Sequence, residues 1–372
     1  MRKIGSKDRI FVPSSASDDL SSIEKKRMLA KIKSIVNTHT LCDEKWTQAI
    51  SSQNFLVDLA FELGMNHDKS FEELLNIFLG SFSPQFDGGY RMNKHNILII
   101  PDENKKLIEC MKKEDIIDPY YSGALSANQI SNPDLIYQNY LYGIMINISS
   151  AANNPALSNV FNHCAKELLN DNSLDKERGG WIHYRLPWIT ARIILGFQNI
   201  LNNNRIWIPN ELYEKISMQT RIARKSLVNR IYKSEYWRSG AGDWVSKWES
   251  TGLCLEVFLE TNGSQETDVY ESVENVIDYL FTESVVKEWL PSKVDFSSEE
   301  STNELLAQVV LCSVLYRYTK IDNFEKYSKW RRPICELFSN CIDHISNNDH
   351  LAIRQFCTMP QMLLYITKAI RS

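Results

Sequence analysis

The sequence predicts a mostly α-helical protein whose larger part is a ring of tandem helical hairpins. Helix-start signals recur, at Asn132, near Trp188, at Ser250, at Ser301 and near Asn348, about every 50 to 60 residues, as tandem two-helix units would require. Within each interval the first stretch is the more apolar and the second the more charged, which fits an inner helix covered on all sides and an outer helix wetted on one face. Two glycine-bearing loops also carry paired tryptophans: Gly179-Gly180-Trp181 running on to Trp188, and Gly242-Asp243-Trp244 running on to Trp248. Each leads through a Thr, Thr190 or Thr251, into an apolar helical run. Tryptophans bring large apolar area into segments that are normally polar, so they read as wedges between helices.

Taken in order, residues 1–20 read as a flexible arm with little to bury. Ser21 or Ser22 caps a helix to about Val36, and Glu44 to Leu63 forms a second helix that Gly64 ends. Ser70 and Glu73 make a capping box for a third. Residues 81–120 differ. Pro84, Asp87-Gly88-Gly89-Tyr90 and Ile97-Leu98-Ile99-Ile100-Pro101 predict turns and one short strand pair in an insertion. Residues 21–120 thus form an N-terminal part that packs on the ring or completes it, and residues 121–372 form the repeats.

Within the repeats, Asn132-Pro133 and Asn154-Pro155 each start a helix. Ile189, Ile193, Ile194, Phe197 and Ile200 mark an inner helix, and Asn210 caps an outer one to about Tyr232. Ser250 caps the next inner run, and a helix spans Thr267 to Trp289. Ser301 and Glu304 form a capping box, and two helices fit Asp322 to Ser346 and Asp349 to Ile370. A helical solenoid or an irregular bundle would show the same pairing.

Composition narrows the function. Hydrophobic residues are 43% and charged residues 24%, an ordinary globular balance, and a net charge of -4 gives no strongly basic, nucleic-acid-binding character. No apolar run reaches membrane-spanning length, and Met1 to Asp8 lacks a signal core, so a cytoplasmic location is expected. The eight cysteines contain no Cys-x-x-Cys pair and read as reduced, buried thiols, with no metal or cofactor expected. There is no Gly-rich phosphate loop, Gly-x-Ser-x-Gly or His-Glu-x-x-His.

Gly179-x-Trp181 and Gly242-x-Trp244, each followed by a second Trp and a Thr-led apolar helix, resemble the α/α-toroid repeats of squalene-type terpene cyclases and protein prenyltransferase β-subunits. By repeat pattern the resemblance covers roughly residues 121–372, and by motif only these two loops. It implies an α/α toroid with a ligand or partner protein at the ring mouth. The family's chemistry is not carried over. The Gln that precedes Gly-x-Trp in cyclases is replaced by Asp175 and Arg238. The Asp-x-Asp-Asp acid, the prenyltransferase zinc ligands and an aspartate-rich magnesium motif are missing.

The leading expectation is therefore a ring that binds a hydrophobic or extended small ligand, or a partner protein, through Trp181, Tyr184, Arg185, Trp188, Trp244 and Trp248. Two catalytic readings stand beside it. In one, an atypical isoprenoid-diphosphate cyclase uses Asp243 to protonate an alkene. In the other, Asp243 and Glu249 act as paired carboxylates on a sugar stacked against the tryptophans. His183, in the equivalent loop, would supply acid–base chemistry near neutral pH. The same residues also read as a turn Asp, a helix-N-terminal Glu, a solvated His and packing tryptophans. The basic outer helix from Lys215 to Arg238 and the acidic segment from Glu256 to Glu304 read as solvated faces.

Overall fold

The computed structural model describes residues 19–41, 50–65, 83–84, 90–91 and, with short interruptions, 161–372. Over these residues the chain is mostly helical with three two-residue antiparallel strand pairs. The helices expected from Ser70 and from Asn132, and the run Ile97 to Ile100, lie outside them.

α1 (Ser22–Leu41) opens with a reciprocal capping box: Ser21 Oγ accepts from the Glu24 N–H at 3.2 Å, and the Glu24 carboxylate accepts from the Ser21 N–H at 2.8 Å. α2 (Ile50–Glu62) is followed by Gly64, whose φ of 71° is the left-handed turn that glycine adopts most easily, and the start expected at Glu44 lies outside the described residues. β1 (Ser83–Pro84) and β2 (Tyr90–Arg91) form the strand pair expected in the insertion. Helical residues at 161–168 lead to the hairpin of β3 (Leu174–Asp175) and β4 (Gly180–Trp181). α3 (Pro187–Asn203) and α4 (Asn210–Val228) follow, then the hairpin of β5 (Ile231–Tyr232) and β6 (Tyr236–Trp237).

α5 (Lys247–Leu259) starts ahead of Ser250. Ser246 is the residue whose hydroxyl accepts from the Trp248 and Glu249 N–H groups. The helix expected from Thr267 to Trp289 is broken at Phe281 and Thr282 into α6 (Thr267–Leu280) and α7 (Glu283–Trp289). α8 (Glu299–Tyr318) has Ser298 as its cap, and Ser301 is the inner partner of that capping box. A 3₁₀ turn (Asp322–Trp330) precedes α9 (Arg331–Asn347), and α10 (Ile353–Arg371) ends the chain.

The alternation of apolar and charged helices is realised as burial. α5 is buried along almost its whole circumference, and α8 is buried from Leu305 to Tyr316. α4 and α9 each keep an exposed face. The buried helices pack side by side in the order α3, α5, α8, α10, α2. The guanidinium of Arg192 on α3 then stands 4.8 Å over the ring of Phe55 on α2, so the two ends of this row approach each other. α5 and α8 come closest at Gly252, where an added Cβ would lie 3.0 Å from Val310 Cγ1 and 3.1 Å from the Leu311 backbone.

A repeated tryptophan latch joins the layers. The Trp181 indole N–H donates to the Leu168 carbonyl at 2.8 Å, that of Trp237 to Leu227 at 2.7 Å, and that of Trp289 to Leu280 at 2.8 Å. Each carbonyl lies in the last turn of a helix, where helical N–H partners run out; that of Leu227 also accepts from the Arg230 N–H at 3.0 Å. Trp237 and Trp289, rather than Trp244, are thus the structural counterparts of Trp181. Trp244 lies outside the described residues.

Candidate functional site

The polar interior lies where the buried helices converge. α5 presents Glu249 and Glu256, two turns apart and both buried. α10 presents Gln361, Tyr365 and Lys368, whose spacing of four and three residues puts them on one stripe. The two rows interlock. Gln361 Nε2 donates to Glu249 Oε1 at 2.8 Å. The Tyr365 hydroxyl donates to Glu256 Oε2 at 2.8 Å, and Lys368 Nζ to Glu256 Oε1 at 2.8 Å. Arg317 of α8 adds a bond to Glu256 Oε1 at 3.1 Å. The Glu256 side chain is only 1% exposed, so it is a buried anion with two cations and a phenol around it.

Asp58 of α2 and Arg192 and Asn199 of α3 complete the cluster. With Phe55, Leu195, Glu256, Leu364, Tyr365 and Lys368 they line a cavity of about 30 Å³. That is room for roughly two waters and no more.

The two acids respond to this setting in opposite ways. Burial pushes Asp58 up to about 7, and Lys368, already hydrogen-bonded to Glu256, offsets this only through space. Burial also works against the Glu256 charge, but Lys368 and Arg317 outweigh it and hold the carboxyl at about 2. Lys368 in turn is desolvated, yet Glu256 keeps its ammonium above the ordinary range. The arrangement therefore holds one permanent carboxylate beside one carboxyl that is half protonated near neutrality.

Of the residues singled out from the sequence, Glu249 joins this interior and the described tryptophans are packed. Trp181, Trp188 and Trp248 are 1%, 1% and 3% exposed. Trp181 packs on Phe197 and latches Leu168, and Trp248 sits against Tyr236 beneath Lys247, whose Nζ is 4.1 Å from its ring. None of the three offers a free ring face. Glu249 is 4% exposed and held by Gln361. His183, Tyr184, Arg185, Asp243 and Trp244 lie outside the described residues.

The acids and bases of the interior escaped the sequence reading because Asp58, Arg192, Glu256 and Lys368 stand singly among apolar neighbours on four helices. A charge at an inward position of an apolar helix was the available signal. Among the described residues no cluster of His, Cys, Asp and Glu is arranged to hold a metal, and no helix is long and apolar enough to cross a membrane. The described cysteines Cys164, Cys254, Cys312, Cys335 and Cys341 are buried free thiols. Comparison of the chain with family models, curated proteins and solved structures finds no match.

Proposed function

We propose that this chain is an α/α toroid of the terpene-cyclase type that works as a binding scaffold and carries out no isoprenoid chemistry. The ring reading rests on the row α3, α5, α8, α10, α2, whose ends meet at Arg192 and Phe55, and on three tryptophan latches between layers. One observation carries the functional reading. The place where a cyclase keeps a dry, roomy cavity for its carbocation is here filled by Glu256, Arg317, Lys368, Tyr365 and Asp58, with about 30 Å³ left over. A carbocation beside two guanidinium groups and an ammonium would meet repulsion rather than aromatic shielding.

Binding then falls to the ring mouth. Residues 182–186 and 239–245, which precede α3 and α5 in the sequence, include Tyr184, Arg185 and Trp244. They offer aromatic and cationic groups suited to an extended ligand or a partner protein. The sugar-hydrolase reading is weakened by Glu249, which is buried and engaged by Gln361. The cyclase reading keeps one favourable feature, a carboxyl at Asp58 held partly protonated near neutral pH.

The test has two arms. Incubation of the full chain with farnesyl and geranylgeranyl diphosphates and magnesium is expected to release no diphosphate above a heat-denatured control. Native mass spectrometry of the purified protein is expected to show a species heavier than the 43.1 kDa chain, lost in the double variant Tyr184→Ala, Trp244→Ala. Diphosphate release that disappears in Asp58→Asn would replace the scaffold reading with the cyclase one.

A further inference from the structure

A second cluster lies away from this interior, where α1 meets the end of α8. Lys320 follows the last turn of α8, and its side chain is 19% exposed. Its Nζ lies 3.5 Å from Asp19 Oδ2, and Lys25 Nζ of α1 lies 3.6 Å from the same oxygen. The other carboxylate oxygen of Asp19 accepts from the Tyr316 hydroxyl and from the Leu20 N–H. One carboxylate thus serves two ammonium groups, a phenol and an amide. Tyr316 and Cys335, also in this cluster, add no negative charge at neutral pH, and the Arg331 guanidinium, which donates to the Thr319 carbonyl beside Lys320, adds a further cation. Burial raises the phenol above its ordinary value and pushes the thiol up to about 12. The Lys320 ammonium is also 4.4 Å from the centre of the Tyr316 ring.

Two cations against one shared anion, in a half-dry corner, is the setting in which a lysine gives up its proton and becomes a nucleophile. A cleft of about 450 Å³ between α1 and α9 is lined by Leu20 and Cys335 but not by Lys320, whose own partial exposure is what gives small molecules an approach. We propose that Lys320, held in this cluster with its side chain part exposed, captures a small carbonyl compound as an imine.

The lone pair of Nζ attacks the carbonyl carbon and forms the C–N bond. The carbonyl oxygen takes up the two protons that the neutral amine loses and departs as water. No oxidant or further reactant is needed. Lys25 is a positioning residue: its charge disfavours a second ammonium at Lys320 and takes no part in bond making. Desolvation first, and Lys25 second, push Lys320 down to about 8 against the partial opposition of Asp19, so a sizeable neutral fraction exists near pH 8.

The experiment incubates the full chain with glyoxylate and sodium cyanoborohydride between pH 6.5 and 9 and maps the reduced adducts by peptide mass spectrometry. Lys320 is expected to label about tenfold faster at pH 8 than Lys215 and Lys326, whose side chains are 57% and 55% exposed. Lys25→Met is expected to shift the labelling midpoint of Lys320 to higher pH and to slow it at pH 8. Asp19→Asn, which removes the anion that both ammonium groups share, is expected to shift the midpoint to lower pH. Labelling of Lys320 at the rate of the exposed lysines, or a midpoint unmoved in whichever of the two variants keeps the native circular dichroism and melting transition, overturns the proposal. So does loss of native structure in both variants together with ordinary labelling of the parent.

Discussion

The interior acids give this protein a pH dependence with two opposed limbs. Asp58 has a folded-state value of about 7 against an ordinary 3.8, so the folded chain holds a proton that the unfolded chain has released. Its contribution is complete below about pH 4 and is lost as pH rises to 7. Glu256, at about 2 against an ordinary 4.5, behaves in reverse: its contribution is complete above 4.5 and is lost as pH falls toward 2. Asp58→Asn is expected to abolish the first limb, giving a higher melting temperature than the parent at pH 8 and little difference at pH 4. Thermal melts of both proteins from pH 4 to 8 measure this, and parallel curves would refute the assignment. Glu256→Gln leaves Lys368 and Arg317 around a neutral amide and is expected to cost about 3–5 kcal/mol at pH 7, read by urea denaturation. Neither acid stands out in the sequence, because a single Asp or Glu in an apolar helix looks alike whether it faces water or a hidden lysine.

At the level of elements, the tryptophan latch and the α5–α8 approach carry most of the architecture. In Trp237→Phe the indole N–H and one of its two fused rings are lost from a buried site, and the Leu227 carbonyl keeps only the Arg230 N–H at 3.0 Å. The expected loss is about 1–3 kcal/mol. The same change at Trp181 or Trp289 is expected to match it, and a much smaller effect at any of the three would show that the carbonyl finds water instead. Gly252→Ala places a methyl within 3.0–3.1 Å of Val310 and the Leu311 backbone, and overpacking of this kind costs about 1–3 kcal/mol. Calorimetry of the purified variants decides both.

Much at this scale was legible beforehand. Ser21 with Glu24, Gly64 and the Ser301 region mark real helix ends, because capping is local chemistry written in three or four consecutive residues. The repeat register was not legible in the same way. Gly242-x-Trp244 shares the local pattern of Gly179-x-Trp181, yet the carbonyl is met by Trp237, which has no glycine two positions before it. A latch is defined by its distant partner, and short-range pattern matching does not see partners.

The described residues divide into a densely buried row and the N-terminal α1, which buries Ile32, Ile35 and Val36 and adds ion pairs at its edges. α1 packs on α9 and α10 and is joined to the rest by Lys31–Asp343 at 2.6 Å, Arg332–Glu24 at 3.2 Å and the Asp19 cluster. The Lys31–Asp343 and Arg332–Glu24 pairs are substantially exposed, so each contributes little and weakens with salt. Hydrogen exchange is expected to show α5 and α8 opening last, and α1 opening earlier and faster still at high salt. Equal protection of α1 and α8 at all salt concentrations would contradict this division.

The sequence by itself determined the helical class, the alternation of covered and wetted helices, the buried free thiols and several helix ends. Each of these follows from periodicity or from contacts within one turn. The tertiary structure alone decided that Trp181, Trp188 and Trp248 are packing residues, and that Asp58, Glu256, Arg317 and Lys368 share one interior. It also decided that Lys25 and Lys320 compete for one carboxylate. These depend on which helix lies beside which, and residues up to about three hundred positions apart, such as Asp58 and Lys368, acquire their chemistry only when packing removes the water between them.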